Sequence, residues 1–234
     1  VASFSDTHRP PLRLLIREGA MLASRFWRGF GKAGPRGPAD GPPLLVIPGF
    51  LAGDRTTLGL QRALAEAGYR VVGWGLGRNR GARADLLERI AAEVERHGRG
   101  RPVVLVGWSL GGIFAREVAK RRPELVAKVV TLGAPFSGDP RANNAWRVYE
   151  LIAGHRVDAP PIDVTPGEKP PVPTLALWSR RDGVVAPACA RGGEVESDLR
   201  IELDCSHMGF GVSGRAYPQI VAAILSFQGQ TRSG

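Results

Sequence analysis

The sequence predicts an α/β fold: a mostly parallel sheet of about six strands with helices on both faces. Short apolar runs without polar alternation recur along it, and helical stretches that tend to end on glycine separate them. A strand covered on both faces has no polar side to show, and parallel neighbours need a crossover, usually a helix. Size agrees, because 234 residues suit one sizeable domain better than two. A hydrophobic share of 43% and a charged share of 23% are ordinary for a packed globular core.

The elements follow in order. Pro10-Pro11 opens a helix reaching about Arg28, since proline is tolerated in a first helical turn. Leu12, Leu15, Ile16, Met21, Leu22, Phe26 and Trp27 recur at roughly helical spacing along it. Such a helix packs on the domain, touches a membrane surface without spanning it, or flanks a substrate entrance. Residues 29–43 hold five glycines and four prolines and read as loop. Residues 1–43 are thus an N-terminal helix and linker, and 44–234 the main domain.

Within that domain, 44–47 is a strand ending at Pro48-Gly49, 57–67 a helix closed by Gly68, and 69–74 a strand. Residues 85–97 form a helix with Leu86, Leu87, Ile90, Ala91 and Val94 on one face. A strand over 103–107, a helix over 110–120 and a strand over 126–132 follow. The rhythm breaks between Pro135 and Pro173, with one short helix over 143–153 and a proline-rich stretch from Pro160. Loops of this length inside compact domains are usually functional or disordered, so 137–170 is expected to be a small cap or lid. Regular order resumes with a strand over 174–178, a helix or loop over 187–191, a strand over 199–203 and a helix over 217–227.

Charge excludes one class. The formal net charge is +10, and 28 of the 32 cations are arginine, but they run from Arg9 to Arg232 rather than clustering. A phosphate-binding surface concentrates its cations on one face or arm, so this pattern reads as solvated surface and not as nucleic-acid binding. No apolar run reaches the length of a transmembrane helix. The default compartment is the cytoplasm, and a chain that starts at Val1 leaves a removed signal peptide open.

The chemistry lies in Gly107-Trp108-Ser109-Leu110-Gly111-Gly112. It fits G-x-S-x-G, follows an apolar strand and opens a helix, which is the context that gives the short pattern meaning. A sharp strand-to-helix turn strains the serine backbone, leaves no room for flanking side chains and aims the hydroxyl off the sheet. Ser109 is therefore the candidate nucleophile. A serine hydroxyl needs a base, and the base needs an orienting acid. Of four histidines, His8 and His97 precede the serine and read as surface residues, and His155 lies in the insertion. His207 follows the last strand and is the candidate base. Asp182, in the loop after the 174–178 strand, is the candidate acid, with Asp198 and Asp204 as rivals. Oxyanion donors are expected from the N–H of Leu110 and, in the loop after the first strand, Phe50, with Leu51 second.

These residues resemble the α/β-hydrolase superfamily and, within it, bacterial lipase- and esterase-like serine hydrolases. The resemblance covers about residues 44–227: the elbow at Ser109, the acid and His loops, and Pro48-Gly49-Phe50 agree in position and order. Gly73-Trp74-Gly75-Leu76-Gly77-Arg78-Asn79 and Thr131-Leu132-Gly133-Ala134-Pro135-Phe136 are also similar. Pro48 departs from the histidine that many relatives carry, and the sheet is shorter than eight strands. The resemblance implies a carboxylic ester hydrolase working through an acyl-enzyme, without metal or organic cofactor, on a small-molecule or lipid ester. An acyltransferase or thioesterase using the same triad, or a noncatalytic binding module, are the alternatives.

Trp108, Phe136, Trp146 and Met208 are expected to contact substrate, with Phe50, Trp74 and Phe210 also near the site. Cys189 and Cys205, sixteen positions apart, lack zinc-ligand spacing and are either buried thiols or one disulfide. A disulfide would tie together the segment that carries Asp182 and His207.

Overall fold

A computed structural model describes residues 9–23 and 37–230. One sheet of six parallel strands runs in the order β2-β1-β3-β4-β5-β6. The strands are β1 Pro43–Ile47, β2 Arg70–Gly73, β3 Val103–Trp108, β4 Val126–Leu132, β5 Thr174–Trp178 and β6 Leu199–Glu202. The described helices are α1 Leu12–Ala23, α2 Leu58–Glu66, α3 Leu86–Gly98, α4 Leu110–Arg121, α5 Trp146–Ala153, α6 Pro187–Arg191, α7 His207–Val212 and α8 Tyr217–Gln230.

Strand alternation divides the core into two layers even where the sequence shows unbroken apolar runs. Leu44 and Val46 of β1 join Val104 and Val106 of β3 on one face, under Leu60 and Leu64 of α2 and Ile220, Ile224 and Phe227 of α8. Leu45, Ile47 and Leu105 turn the other way, onto Leu87, Ile90 and Val94 of α3 and Phe114 and Val118 of α4. All five apolar residues expected on one face of α3 are buried. Because both faces of β1, β3 and β4 are covered, their strands need no polar side.

The chain runs β1 to β2 in one direction, then crosses to β3 on the far side of β1. Loops leaving neighbouring β1 and β3 therefore diverge, opening a crevice at the carboxyl ends of the strands. In the register, Ile47 faces Gly107, which sets the loop after β1 beside the turn after β3.

Several expectations change in three dimensions. The N-terminal helix exists as α1, but Leu12 and Ile16 are exposed while Glu18 is buried. The remainder of the expected helix, to Arg28, lies outside the described residues, as does His8. His97 is buried rather than at the surface; its carbonyl accepts from Arg70 Nη2 at 2.7 Å, and its Nε2 lies 2.9 Å from the Arg70 carbonyl. Burial pushes its pKa down, so it sits as a neutral structural link between α3 and β2. Cys189 and Cys205 are both free and buried, so no disulfide joins them, and burial raises the thiols to about 11 and about 12. The segment that begins with His207, expected to be a loop, is the short helix α7. No helix among the described residues is long and apolar enough to cross a membrane.

The tightest point is the crossing of β3 and α4. A Cβ on Gly107 would lie 2.4 Å from the carbonyl oxygen of Gly111 and 2.5 Å from Gly112 Cα. Backbone cannot retreat as a flexible side chain can. Gly107→Ala is expected to cost about 1–3 kcal/mol. At roughly 2–4 °C per kcal/mol for a chain of this size, thermal unfolding should show the loss as a lower midpoint.

Candidate active site

Ser109 sits between β3 and α4 with φ 54° and ψ −122°, a region that L-residues rarely enter. Such a backbone costs about 1–3 kcal/mol and survives only where its surroundings enforce it. Here the Ser109 N–H donates to the Leu132 carbonyl at 2.9 Å, and the Ser109 carbonyl accepts from Gly112 N–H at 2.9 Å. Glycine flanks the turn because β1 and β4 press on it. A Cβ at Gly111 would lie 2.3 Å from the Ile47 carbonyl oxygen, and one at Gly112 would lie 2.4 Å from Ala134 Cβ.

The loop after β1 runs past this turn, with Gly49 against Trp108 and Ser109. Buried Asn79 shapes it. The Asn79 side-chain amide donates to the Pro48 carbonyl at 2.8 Å, and the Asn79 backbone carbonyl accepts the Leu51 N–H at 2.7 Å. That bond consumes the Leu51 donor, the second choice for the oxyanion. No acceptor among the described residues takes the Phe50 N–H. Leu110 opens α4, so its N–H lies in the first turn, where no intrahelical acceptor exists. Phe50, Ser109 and Leu110 all line one cavity.

Asp182 is 1% exposed, and its two carboxylate oxygens divide the work. Oδ1 accepts the N–H groups of Val184 and Val185 at 2.8 and 2.7 Å, which folds the acid loop. Oδ2 lies 2.7 Å from His207 Nδ1. The rivals are engaged elsewhere: Asp198 binds Thr174 and Lys169, and exposed Asp204 pairs with Arg181. His207 begins α7, capped by the Ser206 hydroxyl, which accepts from Gly209 N–H. Its carbonyl accepts from Trp108 Nε1 at 3.1 Å, and the two rings lie 6.0 Å apart. The base loop is therefore fastened to the residue preceding Ser109. Burial of the ring disfavours the imidazolium, but the charge and hydrogen bond of Asp182, with Glu18 adding to them, outweigh it and raise the His207 pKa.

The sequence profile of the α/β hydrolase fold matches residues 42–158. The chain belongs to the α/β-hydrolase fold family. A relative from Klebsiella pneumoniae (strain 342), named "Putative carbamate hydrolase RutD", is 29% identical over 145 residues, 56% of this chain and 54% of its own length. The chain thus spans about half the length of the curated relatives it matches. Among solved structures, a membrane phospholipase A superposes with a TM-score of 0.62 at 18% identity, covering 94% of each chain. The structure reported for the lipolytic enzymes LipS and LipT gives 0.60 at 18%, covering 84% of this chain and 96% of the other. Carboxylesterase CesB from Bacillus subtilis gives 0.57 at 14%, covering 92% and 98%. At such identities the structural likenesses speak for the fold.

In this α/β hydrolase the insertion roofs a cavity of about 120 Å³ over Ser109. Its walls are chiefly apolar, including Ile113, Tyr149, Ile162 and Val164. Of the expected substrate contacts, Phe50 and Trp146 line it. Trp108, Phe136 and Met208 do not. Strand alternation sends Trp108 into the layer shared with Val104 and Val106, a placement that an i, i+2 count along β3 would have found. Phe136 is buried beneath the Arg116 guanidinium, 4.2 Å from its ring centroid. Half-buried Met208 packs on the core, as does buried Phe210. Trp74 is likewise core, its Nε1 donating to Gly77 at 2.9 Å.

The C-terminal half of the insertion is moored to the helix that Ser109 begins. Arg116, 1% exposed, donates to the carbonyls of Pro166, Glu168 and Glu196 at 3.2, 3.0 and 3.0 Å. Lys120 reaches the Thr165 carbonyl at 2.7 Å and Arg121 that of Asp163 at 2.6 Å. The scattered charge pattern reads as solvated surface, which holds for exposed Arg121 but not for Arg116, whose pKa burial lowers to about 10. Arg116→Met keeps much of the volume but strips the donors from several carbonyls. It should cost on the order of 2–4 kcal/mol. Limited proteolysis of the variant should find new cleavage within 160–168, and an unchanged digestion pattern would refute the mooring.

Proposed function

We propose that the protein is a serine hydrolase that cleaves carboxylic esters of small apolar acids. The observation that carries this reading is the 2.7 Å contact between buried Asp182 and His207 Nδ1, with the His207 carbonyl bonded by Trp108, the residue before strained Ser109. With Nδ1 held by the carboxylate, Nε2 is the ring nitrogen left to accept a proton.

His207 takes the proton as Ser109 Oγ attacks the acyl carbonyl. Asp182 fixes the tautomer and stabilises the imidazolium that forms. Negative charge collects on the carbonyl oxygen, where the N–H groups of Phe50 and Leu110 receive it. The alcohol leaves with the proton from His207. Water then attacks the acyl carbon as His207 accepts its proton, the bond to Ser109 Oγ breaks with return of that proton to Oγ, and the acyl group leaves as the acid. The apolar walls favour an acyl group over a charged one, and the moored cap favours a short chain.

Turnover of p-nitrophenyl esters, with fluorophosphonate labelling of Ser109, tests the reading. Ser109→Ala should abolish both signals. Asp182→Asn retains the shape but presents an amide to Nδ1, and should lower kcat by about 10³–10⁴-fold. Absence of labelling and turnover in the wild type would sink the proposal. Along the ester series, butyrate should be preferred to palmitate, and the opposite order would disprove the short-chain assignment. The pH profile has a definite sign. His207 works as a base only when neutral, and its pKa is raised above the ordinary 6.5. Activity should therefore rise with pH along a limb whose midpoint lies above 6.5.

A further inference from the structure

One buried carboxylate has no part in the chemistry above. Glu18 comes from α1, far from the catalytic loops in sequence, and is 3% exposed. Its Oε1 accepts the N–H of His207 at 2.7 Å and the N–H of Gly183 at 3.1 Å. Its Oε2 accepts the N–H of Met208 at 2.9 Å. One carboxylate thus holds the backbone of the base itself and the residue directly after the acid.

The surroundings commit α1 to this seat. A Cβ on Gly183 would lie 2.5 Å from the Leu14 carbonyl, so glycine after Asp182 is what admits the helix. The Asn144 amide donates both to the Pro10 carbonyl at 3.0 Å and to the Gly183 carbonyl at 2.8 Å. The helix start and the acid loop are therefore gripped by one side chain from the cap.

We propose that Glu18 is a positioning residue of the active site, setting the distance between acid loop and base loop and making α1 part of the catalytic apparatus. This rests on the serine hydrolase reading. Three charge-assisted hydrogen bonds to a buried carboxylate are strong and directional. Two of them converge on residues 207 and 208, so losing them frees the backbone that aims the imidazole at Ser109. The charge acts on the same group. The charged side chains facing His207 are Asp182 and Glu18, and both favour the imidazolium.

Full-length wild type, Glu18→Gln and Glu18→Ala are compared with p-nitrophenyl butyrate, with active sites counted by fluorophosphonate labelling. Misplacement of the base should lower kcat per labelled site by about 10- to 100-fold. KM should stay within about twofold, because the residue makes no contact with the acyl cavity. The glutamine variant keeps one acceptor oxygen and should be the milder of the two. In both, the acid limb of the pH profile should move to lower pH, since a negative charge beside the imidazolium is gone. A purely structural role would lower the melting temperature and the labelled fraction, but leave kcat per site and the limb in place, and that result overturns the proposal. If the alanine variant does not fold, the isosteric glutamine variant decides. A wild type that neither labels nor turns over defeats the serine hydrolase reading. A labelled wild type with an indistinguishable glutamine variant defeats this inference alone.

Discussion

At Ser109 a residue with a side chain is held at φ 54° in a turn squeezed between three strands and a helix. The chain could relieve this by letting α4 move away from β3, but α4 is held on both sides. Phe114 and Val118 bury it against the sheet, and Gly107, Gly111 and Gly112 permit backbone-to-backbone approach where side chains would separate the elements. The strain is paid for by the packing of the central strands, whose residues are close to fully buried. The positions of β1, β4 and the cap all follow from this crossing.

Around it, the segments that carry Asp182 and His207 are fixed by links that come from three directions. Trp108 ties the base loop to the turn, Asp182 ties it to the acid loop, and Glu18 ties both loops to α1. Asn79 does the corresponding work on the opposite side, turning the Leu51 N–H away from the cavity. These are mostly bonds from side chains to backbone. They set the course of a loop without requiring a particular neighbour, so the loop is fixed while the side chains around it can vary.

What the sequence made legible was local. The strands, the turn around Ser109 and the face of α3 depend on runs and periods a few residues long, and the structure keeps them within a residue or two. Asp182 and His207, which the structure brings into contact, could be paired because each follows a recognisable strand. Glu18 could not, since its partners lie more than 160 positions away and a glutamate in an amphipathic helix looks like any surface charge. His97 and Arg116 failed for the same reason: burial of a polar residue is decided by what folds over it. Cys189 and Cys205 share a segment with the acid and the base but no bond, because closeness in sequence does not set geometry between side chains. Aromatic character read without strand direction misplaces Trp108, and Phe136, which lies beyond β4, is taken into the core by packing beneath Arg116.

The mooring of the cap has an evolutionary side. Arg116, Lys120 and Arg121 grip residues 163–168 mainly through carbonyl oxygens that every amino acid supplies, with the Thr165 hydroxyl as a further acceptor for Lys120. The side chains of Ile162, Val164 and Pro166 meanwhile form cavity wall. Anchorage thereby falls on Asp163, Thr165 and Glu168, and cavity wall on Ile162 and Val164 between and beside them, with Pro166 serving both. Substitutions at Ile162 and Val164 can therefore reshape the cavity wall while the carbonyl anchors beside them stay in place, so the shape of the cavity and the attachment of its roof can change separately.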